Sequence, residues 1–95
     1  MNNPRLPSRA DAIDLARDAL IFIAADEDLL LSFLYLSGLT PDDARIYAAD
    51  PDFLAGVLDF LLFDDKLVTG VVDKHGIALE MPKLARLVLG NDYRD

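Results

Sequence analysis

The stretch AADEDLLLSFL (residues 24–34) places three acids, Asp26, Glu27 and Asp28, directly before a run of leucines. Related wording returns in AADPDFLAGVL (48–58) and LFDDKLVTGVV (62–72). A repeated acidic motif is either a ligand loop or the start signal of a helix. A calcium loop of the EF-hand kind needs acids at alternating positions, glycine at its sixth residue and glutamate at its twelfth. Counting from Asp26, those places hold Leu31 and Ser37; counting from Asp50, they hold Ala55 and Leu61. Neither run meets the requirement. As helix starts, both read well. An aspartate at the cap accepts a hydrogen bond from an unpaired first-turn amide, and acids just inside the helix meet the positive end of its dipole.

Working outward, the same grammar divides the whole chain into helices. Ser8 followed by Asp11 is a near capping box and opens a first helix, predicted over about residues 9–25. Asp11, Asp14 and Asp18 mark its wet face; Ile13, Ala16, Leu20 and Ile23 mark its dry one. Asp26 caps a second helix over 27–37, with Gly38 in the left-handed position beyond it. Thr40-Pro41-Asp42-Asp43 combines a cap, a first-turn proline and an acid at the third position, opening a short third helix to about Ala49. Asp50-Pro51 opens a fourth, to about Phe63; Asp64 opens a fifth, ending at His75-Gly76; a last helix runs from about Pro82 to Leu89. Strand-like alternation never holds for long. The expectation is an all-α compact bundle of five to six short helices, one domain over residues 8–90, with flexible termini at 1–7 and 91–95.

A shift of 38 residues pairs Phe22 with Phe60, Ile23 with Leu61, Asp26 with Asp64, Leu34 with Val72, Gly38 with Gly76 and Leu39 with Ile77. The chain is thus two related helix-turn-helix units, through duplication or through convergence on one helix grammar. Two copies are too few for a solenoid, which needs roughly three or more repeats.

Composition narrows the function classes. The chain has 95 residues, no cysteine and 53 % hydrophobic residues. Thiolate metal sites and cysteine nucleophiles are therefore out. A domain this small buries only roughly 60–68 % of its unfolded surface, so the apolar excess goes into a crowded core or onto an association surface. The longest apolar run, ALIFIAA (19–25), falls far short of the roughly 20 residues of a membrane span. With no apolar stretch of signal-peptide type after the first residues, the expected location is the cytoplasm. The net charge of −8 is uneven: residues 26–65 hold ten acids against Arg45 alone. That section repels nucleic acid and anionic membrane, so neither is expected as a partner.

No catalytic set emerges. Asp42-Asp43 and Asp64-Asp65 are adjacent, and on a helix adjacent side chains diverge by about 100°. His75 is the only histidine, with no second ligand for a metal, and reads as a favourable charge at a helix end. Asp59 stands within VLDFLLF, as a narrow wet face or as a buried acid paired with Arg17, Arg45 or Lys66. The glycines are scattered singly, so no phosphate loop exists. No cofactor, metal or enzymatic activity is expected. What remains is apolar surface. The second helix is dry nearly all round, through Leu29, Leu30, Leu31, Phe33, Leu34, Tyr35 and Leu36; the fourth is similar, with Gly56 expected to admit a close helix. A helix dry on every face is either central or shared with another chain. The second is the one expected at a homodimer or partner groove.

The string AADEDLLLSFLYLSGLTPDDARIYAADPDFLAGVLDFLLFDD (24–65) resembles a family of small, mostly alphaproteobacterial proteins catalogued as a domain of unknown function. Its AADEDLL start, SGLTPDD turn and DPDFLAGVLDFLL helix carry the likeness, over about residues 12–75. The resemblance implies no activity and offers no site residues. A weaker likeness is to ubiquitin-associated three-helix modules, through residues 28–63 and the Gly38-Leu39 turn. Such modules bind through that turn and their third helix, which would make Gly38, Leu39, Leu61 and Leu62 a contact surface for a basic or apolar partner. Together with Leu30, Leu31 and Tyr35, these form the expected partner surface of an acidic bacterial protein acting by protein–protein contact or self-association. The alternative is a helical pocket for a small apolar ligand or lipid. A pocket encloses an apolar cavity of roughly 300 Å³ or more, whereas a docking module exposes an apolar patch.

Overall fold

The structure is a computed structural model, and it describes residues 6–90. It contains six helices: α1 (Arg9–Ala24), α2 (Glu27–Ser37), α3 (Pro41–Tyr47), α4 (Pro51–Leu62), α5 (Asp65–His75) and α6 (Met81–Gly90). The all-α bundle expected from the sequence is what forms. Residues 1–5 and 91–95, most of the expected flexible ends, lie outside the described residues.

Each cap works as its residue type requires. The Asp26 carboxylate accepts from the backbone amides of Asp28 and Leu29, at 3.0 and 3.3 Å. Asp50 accepts from Asp52, and Asp64 from Lys66, at 3.0 and 2.9 Å. Thr40 and Asp43 close a full capping box, each backbone amide donating to the other's side chain at 3.1 Å. Gly38 and Gly76 stand at φ 71° and 63°, where a Cβ would clash with its own backbone. Beyond each glycine the next amide reaches back into the helix, Leu39 to the Leu34 carbonyl and Ile77 to that of Val72, both at 3.1 Å. Third and fourth helices end a residue or two before the expected points, at Tyr47 and Leu62.

The two helix-turn-helix units found by the 38-residue shift occupy matching environments. Asp26 and Asp64 both cap, Gly38 and Gly76 both terminate, and Ile23/Leu61 and Leu34/Val72 are buried in both copies. Their packing matches too: α2 lies on α1 and touches α4, while α5 lies on α4 and touches α1. The third helices break the pattern. α6 packs across both α1 and α4, whereas α3 has no buried residue.

The core centres on α4, whose Leu54, Val57, Leu58 and Leu61 are fully buried. Against it α1 turns a stripe of Ala12, Ala16, Ala19 and Ile23, spaced one or two turns apart and all with no exposure. This corrects the dry face read from the sequence, since Ile13 and Leu20 are only half-buried. Small side chains suit the place where α1 meets both α4 and α6, so three alanines join Ile23 at the deepest positions. Gly56 is also corrected: a Cβ there would meet nothing within 4 Å, so no helix lies against it. The close approach is at Gly70 instead, where a Cβ would stand 2.6 Å from the Phe22 ring. The Cα radius of gyration is 12.9 Å, close to the roughly 12.4 Å of a compact chain this long. Its thinnest dimension is 18 Å, about two helix layers. Two layers leave outer helix faces uncovered.

Candidate docking surface

The two all-round apolar helices have separate fates. α4 is central. α2 lies at the periphery, where only Phe33 and Leu34 are buried. By helical spacing Glu27, Asp28, Leu31, Ser32, Tyr35 and Leu36 share its outward face, and all six are exposed. The inward face is anchored by Phe33, whose ring meets those of Phe53 and Phe60 edge-on, with centroids 5.8 and 5.4 Å apart. Such T-shaped pairs fix ring orientation and contribute about 0.5–1.5 kcal/mol beyond area burial.

Between this anchor and solvent runs a groove of about 310 Å³, lined by Phe33, Leu36 and Ser37 of α2, and by Gly56, Asp59, Phe60 and Phe63 of α4 and its end. Rings and a leucine make the floor and walls. Gly56, with open space where a Cβ would be, leaves a notch in the α4 wall. Leu36 is 68 % exposed and Phe63 89 %. Asp59, at the rim, is bonded by the Arg86 Nε at 2.7 Å. This settles its partner, which is none of Arg17, Arg45 and Lys66. With more than half of the Asp59 side chain exposed, the acid marks the wet edge of α4, not a buried charge.

The residues expected from the sequence as one partner surface are spread over several faces. Leu31 and Tyr35 lie on the outward face of α2. Leu30 turns the other way, into a hollow of about 300 Å³ with Leu20, Pro41, Ala44 and Arg45. Gly38 is exposed in its turn and Leu39 half-buried. Leu61 is fully buried and is corrected from a contact residue to a core residue. Leu62 is half-buried and opens toward α5 and α6, beside Val68, Leu79 and Lys83. Of the groove residues, the sequence names Leu36 only as part of the dry second helix and Gly56 only as a close-approach site, and it gives Phe60 and Phe63 no place in a partner surface. One signal was available: Phe53, Phe60 and Phe63 recur at seven and ten residues along one side of the fourth helix, facing the lone phenylalanine of the second.

A second depression, of about 560 Å³, lies among α1, α5 and the start of α6, with Asp11, Asp14 and Asp18 on one side and His75 on the other. His75 ends α5 as expected, and its Nδ1 stands 3.8 Å from an Asp18 oxygen. Among the described residues no three His, Asp or Glu side chains gather closely enough to hold a metal ion. Nor is any helix among them long and apolar enough to cross a membrane. The groove itself offers apolar contact, with one carboxylate, Asp59, at its rim.

Comparison with known proteins returns no match among curated proteins or solved structures. A family model described as a protein of unknown function, DUF3572, matches residues 9–92, from the first helix through the last, and the chain belongs to that family.

Proposed function

We propose that this protein acts by contact and not by catalysis, as a small docking module whose binding face is the groove between α2 and α4. The observation that carries this reading is the exposure of Leu36 and Phe63 beside a floor of packed rings. These two stand together over that floor, and exposed apolar side chains that adjoin one another mark an interaction surface where single ones do not. The family assignment is neutral on this point.

A second reading, a site for a small apolar ligand, draws on the groove's volume of about 310 Å³ and its ring lining. That volume sits at the bottom of the range of roughly 300–1,000 Å³ for such sites, which bury most of their ligand. This groove opens to solvent along its side, a form better suited to a protein ridge. A second copy of the chain is among the protein partners the reading admits.

A photo-crosslinking residue at Ser37, in the groove, compared with one at Lys74, on α5, tests the proposal in the native cell. Defined adducts from position 37 and none from position 74 are expected. Equal or absent adducts at the two positions would remove the docking reading. An adduct of twice the chain mass identifies the partner as a second copy.

A further inference from the structure

From the charge around the groove we infer its occupant, on the footing of the docking reading above: an amphipathic helix of another protein, apolar on the face it inserts and basic on its flanks. Three observations lead there. The groove runs along α4 from Gly56 to Phe63, a helical rise of about 10 Å or two turns, and is closed on its other side by Phe33, Leu36 and Ser37 at the end of α2. That length matches a helix presenting anchors at i, i+3 or i+4, and i+7 to the Phe33–Phe60 floor and the Phe63 wall. The Gly56 notch gives one anchor room to seat below the rim. No strand exists among the described residues, so an extended peptide finds no sheet edge to join.

The third observation is the unanswered charge. Of the ten acids in residues 26–65, ion pairs among the described residues involve only Asp42, with Arg45, and Asp59, with Arg86. By helical spacing Asp52 stands one turn before Gly56 on the groove side of α4, and Asp64 directly follows Phe63 at the groove's other end. These two carboxylates stand at the ends of the apolar floor, and neither forms an ion pair among the described residues. A second copy meeting face to face would bring the same acids together, at a Coulombic penalty. A helix with Lys or Arg beside its anchors meets each need. Paired charges at the rim raise the association rate and add salt dependence, while the rings and leucines supply the holding energy.

Four synthetic peptides of about 18 residues, long enough to populate helix, test this. Three share leucine anchors at i, i+3, i+7 and i+10 and carry Lys, Gln or Glu on their flanks. The fourth keeps the Lys content with its leucines scrambled off one face. Binding is read by fluorescence anisotropy at low and physiological salt, with light scattering of the protein alone. The Lys peptide is expected to bind on the order of tenfold tighter than the Gln peptide at low salt, through a few rim pairs of up to about 1 kcal/mol each. The advantage shrinks with salt, and the scrambled peptide binds at least tenfold more weakly. Gly56→Leu, which fills the notch, and Leu36→Asp, on an exposed site, each reduce Lys-peptide binding at least tenfold with the helical circular-dichroism signal unchanged. Gln and Lys peptides binding alike would overturn the basic partner while leaving the docking groove standing. Scrambled and ordered Lys peptides binding alike, or no peptide binding at all, would overturn both. Self-association that Leu36→Asp abolishes would overturn the foreign helix in favour of a second copy.

Discussion

At the scale of single residues, two glycines in helix interiors have opposite reasons for being there. Gly56 lies inside α4 with open space where its Cβ would go, and Gly70 lies inside α5 with a Cβ position 2.6 Å from the Phe22 ring. Glycine in a helix interior lowers stability by about 0.5–1 kcal/mol relative to alanine. Gly56→Ala is therefore expected to raise stability by roughly that amount, seen as a higher urea midpoint with unchanged slope. Gly70→Ala gains the same propensity but pushes on a half-buried ring, and overpacking costs about 1–3 kcal/mol. It is expected to lower stability, and trimming the ring with Phe22→Leu in the same chain should recover part of the loss. The sequence shows two similar glycines in two similar helices. Which one touches a neighbour is a tertiary fact, and so the sequence alone suggests Gly56 for the close approach that belongs to Gly70.

At the scale of elements, the helix starts are written locally and the helix faces are not. Asp26, Thr40, Asp50 and Asp64 each bond amides within three residues of themselves, so a reader of the sequence needs no other part of the molecule to place them. Asp26→Ala or Asp64→Ala is expected to lower stability by about 1 kcal/mol each, and asparagine in either place to keep most of it. A loss under 0.3 kcal/mol from both alanine variants in chemical denaturation would sink that account of the acidic motif. The buried face of α1 was harder to read because Ala12, Ala16 and Ala19 rank low in hydrophobicity yet fit where α4 and α6 converge. The Asp59–Arg86 link joins residues 27 positions apart, and no local pattern announces it. Both side chains are partly in solvent, so Arg86→Ala is expected to cost no more than about 1 kcal/mol, less in high salt.

At the scale of the whole molecule, burial separates residues that look alike in sequence. Leu36 and Leu61 both sit in leucine- and phenylalanine-rich helices and both read as dry, yet Leu36 is mostly exposed and Leu61 is not exposed at all. The difference arises because α4 is surrounded by α1, α2, α5 and α6, whereas α2 borders solvent on a body about two layers thick. Sequence grammar supplies the number and order of helices and suggests the second as the one at a partner groove; it does not show which apolar helix the others wrap, and so the α4 side of the groove stays unplaced. The distinction is testable in one pair of variants. Leu61→Ala removes a fully buried side chain and is expected to cost about 2–5 kcal/mol. For a domain whose total stability is about 5–15 kcal/mol, that is a large share, and thermal unfolding should begin many degrees lower. Leu36→Asp touches the outer face and should stay within about 0.5 kcal/mol of the parent chain. A Leu36→Asp protein that unfolds as readily as Leu61→Ala would mean that the outer face of α2 is core, and the docking groove would have to be abandoned. A folded Leu36→Asp protein that loses binding separates holding the fold together from holding a partner, and assigns the second role to the surface that the bundle leaves uncovered.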